Sequence, residues 1–462
     1  MRKKYFGDLQ FYKSVFLIAI PAMGQLFVTT LVSLIDSFMV ARLGDIKMSG
    51  VNISNQIFFI VYVATSALAM AGGIFLAQYS GAKQKDGMQQ AYRFKMLLAL
   101  SVSLISMFVV VCFGQTLLFA MVRGNISANE IVPYGKEYLW ILLWSFIPFG
   151  ISVAISSSLR ETGSQRLPLV ITLIAAVVNA VGNYALIFGK LGMPRLEVAG
   201  VAYSTVFARI VEMLLFIAVA RKKDFYVKFL DIWKVKLSVF KEIVKRSSWL
   251  LMSDLLWAFT ETIINALYNG LGGSAVVSGM SAGWTISDLF FLTHAGLGTA
   301  ITVIVGGLLG QNKLEEAREK ARWFLSLGFI VGIGVGIIEI VSSFILVPLI
   351  FGELSPVAQK VALNLLIMVA FYMPVWSWQN AQYYILLAGG DSFSFSMIET
   401  TINIFVSLPI AFLMVHFTRV SPVALYGIIK ISSLIKPVWA HFALKKETWI
   451  KNLTQSQELE AL

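Results

Sequence analysis

The sequence is poor in the residues on which most soluble and secreted proteins rely. Cys112 is the only cysteine and His294, His416 and His441 are the only histidines, too few for an internal disulfide framework or a zinc cluster. Charged residues make up 13% of the 462 positions, against roughly 25% in an ordinary soluble chain, which excludes a water-soluble globule. No Ala-x-Ala-like cleavage site follows Met1-Arg2-Lys3-Lys4, so the apolar stretch near 11–40 reads as a first membrane helix and not as a signal peptide. The net charge of +12 is spread over short connections and not gathered on a polar domain, which argues against nucleic acid as a partner.

Apolar residues dominate what remains: 58% of positions are hydrophobic and the mean hydropathy is +0.78. Apolar runs of about 20 residues or more recur throughout, each long enough to cross a hydrocarbon core of roughly 30 Å. Breaking the runs at Gly, Pro and charge clusters predicts helices near 11–40, 51–79, 94–122, 134–160, 167–189, 198–220, 247–270, 278–309, 321–349, 357–388, 392–417 and 421–444. Lys83, Lys85 and Arg93 follow the second helix, nine Lys and Arg between Arg221 and Arg246 follow the sixth, and Lys313, Arg318, Lys320 and Arg322 follow the eighth. The alternate connections are short and nearly neutral, which puts both termini and the central linker in the cytoplasm. The linker, 222–246, alternates Lys with apolar residues as an amphipathic helix on the inner leaflet would.

The chain also repeats itself. Leu43-Gly44, Ser49-Gly50, a long helix and Gly81 before a charged loop are echoed by Leu271-Gly272, Ser278-Gly279, a long helix and Gly310 before a charged loop. Leu159 to Ser164 is echoed more weakly by Leu387 to Ser392, each after a helix that contains a proline, Pro148 or Pro374. The expected fold is therefore all-α and integral to the membrane: twelve transmembrane helices in two pseudo-symmetric six-helix bundles, 1–221 and 247–446, joined by 222–246 and followed by a cytoplasmic tail, 447–462. A parallel repeat of this kind is the architecture of a secondary transporter with a central cavity between its halves.

Several stretches, in order, resemble the multidrug and toxic compound extrusion (MATE) family, in its bacterial DinF-like or NorM-like branches. They are I-P-A-M-G-Q at Ile20, L-I-D-S-F-M-V-A-R-L-G at Leu34, R-E-T-G-S-Q-R-L-P-L at Arg160, N-A-V-G-N-Y-A-L-I-F-G at Asn179, G-V-A-Y-S-T at Gly200 and A-G-G-D at Ala388. Glu161 and Ser164 stand where the family's loop after helix 4 more often has Gly and Asp. The resemblance implies a multi-pass protein of the bacterial inner membrane, a monomer without cofactor or enzymatic activity, that uses protons or sodium ions to drive small molecules out of the cell. It places Asp36, Asn179, Asn183 and Thr205 at the proton or sodium site, with Tyr138 beside it. Pro21, which stands at the family's spacing, removes a backbone hydrogen bond and so gives helix 1 a natural bend point. The NorM-like branch has a sodium site with acids in helices 7 and 10; here helix 10 has Trp376, Ser377 and Trp378 in that neighbourhood, so that site is not expected.

The residues themselves support part of this. An Asp inside a membrane helix costs about 2.5–3.5 kcal/mol on insertion scales and so faces a bundle interior or a wet cavity. Gln25, Thr29, Ser33 and Asp36 form one polar stripe within about 80° on helix 1. Asn179 and Asn183 share a face of helix 5. If the faces meet, a carboxylate, two amides and the Thr205 hydroxyl form a hard-oxygen cluster for a sodium ion or a shared proton; the bland alternative is that Asp36 reaches interfacial water and the asparagines join helices. On helix 7, Asp254, Glu261 and Asn265 share a face with Trp257 beside them, Asp288 follows in helix 8, and Lys430 in helix 12 is available to neutralise one of these acids. Arg209 and Glu212 read as a self-satisfying pair. Gln379, Asn380 and Tyr383, with Trp376 and Trp378, are candidates for a wall that binds flat cations, along with Gln25, Thr29, Asp254, Trp257, Glu261 and Asp288. The expected activity is export of organic, cationic and amphipathic compounds. The alternative is a flippase for lipid-linked saccharides, which would want a strongly cationic cavity, against which the mostly acidic or aromatic candidates argue; less favoured is a polytopic membrane enzyme, whose nucleophile and base or metal set three scattered histidines and one cysteine do not supply.

Overall fold

In the computed structural model the described residues are 5–121, 128–270, 274–352, 354–418 and 420–454. Twelve long helices carry the chain: α1 (Leu9–Ala41), α2 (Asp45–Gly81), α3 (Lys85–Met121), α4 (Ala128–Glu161), α5 (Arg166–Phe188), α6 (Glu197–Ala220), α7 (Leu237–Gly270), α8 (Ser274–Gly310), α9 (Leu314–Phe351), α10 (Pro356–Ala388), α11 (Ser392–Phe417) and α12 (Pro422–Lys445). Eleven of them, all but α7, are apolar enough over a membrane-spanning length. Several helices outrun the hydropathy pattern. α3 starts at Lys85 where the apolar run starts near 94, because Asp86 sits in its first turn and its polar turns hold the connection after α6.

Local chemistry sets the helix ends. Ser355 and Ser421 accept from the backbone N–H groups of Ala358 and Ala424 and are each followed by proline at the first helical position, so α10 and α12 begin alike. Asp391 of the Ala-Gly-Gly-Asp stretch caps α11 by accepting from Ser394 N at 3.1 Å, and its other oxygen accepts from Thr448 Oγ1.

The chain divides into two compact units, Pro21–Val244 and Met1–Ile20 with Lys245–Leu462. The first helix of each half therefore begins in the unit of the other half, α1 changing at Pro21 and α7 at Lys245. Pro21 has no N–H, so the Leu17 carbonyl lacks its helical partner at that junction.

Within each unit the packing follows one plan. α2 and α3 both lie on α4, and α8 and α9 both lie on α10. The repeated Ser-Gly pairs explain how the second helix of each half comes so close to the fourth. A Cβ at Gly50 would lie 2.8 Å from the Gly135 nitrogen, and one at Gly279 would run into the Ala358 carbonyl oxygen, so backbone meets backbone at equivalent places. Ser54 bridges the first of these contacts, donating to the carbonyls of Gly50 and Gly135 at 3.0 and 2.8 Å.

The connection after α6 is not the single amphipathic helix its alternation suggests. Residues 221–236 form turns with one 3₁₀ turn, Phe229–Asp231, and regular helix resumes only at Leu237. The reason is a better site for its apolar residues than the bilayer surface. Phe225 and Ile232 are buried, Phe225 stacks near Tyr92 of α3 at 5.3 Å, and Gln90 and Arg93 of α3 donate to the carbonyls of Lys234 and Asp231.

Gly50→Ala should destabilise the protein by about 1–3 kcal/mol, the usual cost of overpacking a close contact, whereas Gly334→Ala, where a Cβ meets nothing within 4 Å, should be neutral. Thermal unfolding in detergent followed by tryptophan fluorescence checks this. Equal midpoints for the two variants would remove the close α2–α4 contact from the account.

Candidate functional site

The unit Pro21–Val244 brings the polar faces of α1, α5 and α6 together. Asn183 Nδ2 donates to Asp36 Oδ1 at 2.5 Å and has Asn179 Oδ1 at 3.4 Å, and Asn179 Nδ2 reaches Thr205 Oγ1 at 3.5 Å. Both asparagines are buried, since i and i+4 on α5 point the same way into the bundle. Tyr138 of α4 is buried beside them and donates to Asn55 Oδ1 at 3.1 Å; Asn55, on α2, is a member that no spacing in the sequence indicates. Asn183 Oδ1 is buried with no hydrogen-bond partner among the described residues. An unpaired amide oxygen next to a carboxylate, a second amide and hydroxyls is a donor set that fits a sodium ion or a protonated carboxyl.

A second polar chain begins one turn further along α6. Arg209 Nη1 donates to Glu212 Oε2 at 2.7 Å, Thr172 Oγ1 lies 3.4 Å from Glu212 Oε1, and Gln25 Nε2 reaches Thr172 and Ser156 at 3.2 and 3.0 Å. Arg160 Nη1 closes the chain by donating to Gln25 Oε1 and to Ser156 Oγ, both at 2.8 Å. Gln25 is thus occupied at both ends of its amide. Thr29 and Ser33 donate back to carbonyls of their own helix, so the polar stripe on α1 is largely self-satisfied below Asp36. Beyond Arg160, Glu161 forms an ion pair with the fully buried Lys95 at 2.5 Å, in space that Gly73 leaves open.

The other unit has a polar centre that helix periodicity does not reveal. Glu399 of α11 accepts from Lys436 Nζ of α12 at 2.8 Å and from Asn403 Nδ2 at 3.1 Å, and Lys436 also donates to Asn403 Oδ1 at 2.8 Å. A single π-turn over Asn403–Ser407 follows at once in α11. Of the proposed wall on α10, Gln379 Nε2 reaches Glu399 Oε1 at 3.4 Å, Tyr383 is buried in the same place, and Asn380 donates to the Trp376 carbonyl at 3.0 Å. Two further buried groups are Glu339 of α9, which accepts from Ser287 at 2.8 Å, and His294, which shares a 2.7 Å hydrogen bond with Ser377.

The helix 7 acids are not drawn into that centre. Among the described residues Asp254, Glu261 and Asp288 make no ion pair; Asp254 and Glu261 are half-buried, and Asp288 and Trp257 are exposed. The Asn265 side chain lies outside the described residues. Lys430 does not neutralise one of these acids by direct contact. Its ammonium instead sits over the rings of Trp376 and Tyr426, 4.6 and 5.2 Å from their centres, where aromatic faces replace water. No cluster of three His, Cys, Asp or Glu is present among the described residues.

The family model described as MatE matches residues 21–185 and 250–413, once in each half. The chain belongs to the MatE family. Among its relatives is a probable multidrug resistance protein NorM of Thermotoga maritima, 28% identical over 88% of this chain and 86% of that protein. Solved structures agree on the fold: a MOP superfamily transporter from Pyrococcus furiosus superposes with a TM-score of 0.84 at 18% identity, covering 97% of each chain. A Vibrio cholerae MATE transporter gives 0.84 at 16% identity, covering 96% of this chain and 98% of the other. This MatE protein is accordingly a multi-pass membrane transporter and not an enzyme, with the twelve-helix, two-bundle fold of its relatives.

The buried Glu399–Lys436 pair gives a prediction for this MatE protein. Glu399→Gln leaves the Lys436 ammonium buried without its counter-charge and should cost about 3–5 kcal/mol, while Glu399→Gln with Lys436→Met should recover most of that loss. Unfolding midpoints of the two variants decide it; equal destabilisation would show that the pair is not the stabilising unit.

Proposed function

We propose that this chain is a secondary antiporter that exports organic, cationic and amphipathic compounds from the cytoplasm in exchange for protons or sodium ions, with Asp36 as the coupling group. The observation that carries the reading is the Asp36, Asn183, Asn179 and Thr205 cluster, a carboxylate among neutral amides and a hydroxyl, with one amide oxygen unpaired. A proton on Asp36, or a sodium ion held by the same oxygens, neutralises the cluster's one carboxylate, and loading and unloading that charge on opposite sides of the membrane is what coupling requires. The name of the Thermotoga maritima relative, a probable multidrug resistance protein, supports efflux of drug-like compounds. Export from the cytoplasm agrees with the Lys and Arg bias, which puts both termini on the inner side of a bacterial inner membrane.

In this reading Pro21 is the bend point of α1. It lies in the same helix as Asp36, at about 1.5 Å of rise per residue some 22 Å away, and the helix there lacks one backbone hydrogen bond. The exposed or half-buried acids Asp254, Glu261 and Asp288 serve as counter-charge for the cargo, and the aromatic faces of α10 provide stacking surface.

Asp36→Asn should insert and fold, because it removes a costly membrane charge, yet lose gradient-driven export. The measurement is uptake of a fluorescent cation into everted vesicles under an imposed proton or sodium gradient, with detergent binding of the same cation as the fold control. Uptake at the parent's rate under whichever gradient drives the parent would make Asp36 structural. In the same vesicles Asp254→Asn and Glu261→Gln should slow export of a cation more than export of a neutral dye; equal slowing would remove these acids from cargo selection.

A further inference from the structure

A cavity of about 710 Å³ opens at one end of the C-terminal unit, among the first turns of α9 and the last turns of α10 and α12, with Tyr5 and Phe6 at its edge. Its polarity changes along the helices. Arg318 and Arg322 lie in the first turns of α9 and Lys445 closes α12, all at the end of the unit that carries basic connections. Moving along α9 the wall becomes Leu325, Phe329 and Ile330, about 12 Å from Arg322 to Ile330 at the helical rise. Trp378 of α10 faces the same apolar part.

The cations differ in what they already hold. Arg318 is engaged by Glu315 and, at 2.7 Å, by Glu447, which also lines the cavity. Arg322 and Lys445 are exposed and meet no carboxylate among the described residues. Phe329 and Ile330 are 44% and 49% exposed on a helix that crosses the membrane, so the groove is open towards the bilayer. An occupant must therefore carry negative charge at the helix ends and hydrocarbon on the bilayer side. A cationic drug is repelled by the first requirement, a free anion leaves the second unused, and a zwitterionic lipid brings a positive group to a basic rim.

We propose that this groove is a binding site for an anionic phospholipid of the surrounding leaflet, its phosphate held between Arg322 and Lys445 and an acyl chain lying along Leu325, Phe329 and Ile330 against Trp378. Two cations without a carboxylate partner among the described residues, the Lys445 ammonium only 5.8 Å from the centre of the exposed Phe442 ring, bracket a phosphate as point charge and fork, and the volume suits a headgroup with the upper part of its chains. The site is independent of Asp36 and of the transport reading.

The test uses the purified full-length chain in a neutral detergent, titrated with dioleoylphosphatidylglycerol or dioleoylphosphatidylcholine while the thermal unfolding midpoint is read. Phosphatidylglycerol should raise the midpoint more than phosphatidylcholine does. Arg322→Gln with Lys445→Gln should abolish that difference and leave the midpoint in phosphatidylcholine unchanged, since neither side chain holds a partner that folding needs. A control, Lys222→Gln with Lys228→Gln, removes two exposed charges from the other unit and should keep the difference. Equal shifts with the two lipids would overturn the proposal. So would a shift reproduced by inorganic phosphate, which would make the occupant a free anion, or an equal loss in the control, which would make the effect general surface attraction.

Discussion

Hydrocarbon does not solvate a peptide group or a charge, and that constraint arranges everything else in this chain. Twelve helices satisfy the backbone internally, and the side chains that remain polar must find one another across helix faces. They do so in layers within each unit. In the unit Pro21–Val244 the layers are the Asp36 cluster, the Arg209 to Arg160 chain and the Lys95–Glu161 pair; in the other unit it is the Glu399–Lys436–Asn403 centre. Close approach makes those layers possible. Gly50 against Gly135 and Gly279 against Ala358 let backbones touch, so a side chain as short as Ser54 can span the gap between α2 and α4.

What could be read beforehand follows from what spacing records. Period 3.6 tells which residues share a face, so Asn179 with Asn183 and the stripe ending at Asp36 were legible, and the repeated Ser-Gly pairs announced equivalent packing. Spacing does not tell which face meets which. Glu399 and Lys436 are 37 positions apart; Glu399 is the one acid in α11 and Lys436 one of three lysines in α12, so nothing local marks them as partners. Asp254 and Glu261, by contrast, share a face and make no ion pair among the described residues. The connection after α6 failed for a related reason: alternation is the same whether apolar residues enter lipid or a protein groove, and only the position of Tyr92 and Gln90 at the end of α3 decides between them.

The family resemblance implies roles that residues alone do not carry, but its motifs do not include Glu212 or Thr172. Glu212 and Thr172 link Gln25 to Arg209, and this occupies a glutamine that a cavity-facing reading had left open for ligands. Such a network fixes the rotamers of α1, α4, α5 and α6 relative to one another, and so supports the geometry in which Asp36 meets Asn183.

The carboxylates of these polar clusters, buried or half-buried, fall into two groups that differ in what a change of charge would cost. Glu161, Glu212 and Glu399 are each within hydrogen-bond distance of Lys95, Arg209 or Lys436, and neutralising one of them leaves a cation uncompensated in a medium that cannot hydrate it. Asp36 and Glu339 have amide or hydroxyl donors and no cation within ion-pair distance among the described residues. A change of charge on either would break no ion pair among the described residues. Arg209, one turn beyond Thr205 on α6, is engaged by Glu212 and not by Asp36. The Arg209–Glu212 pair therefore does more than satisfy itself: by holding the guanidinium, it keeps Asp36 out of an ion pair among the described residues.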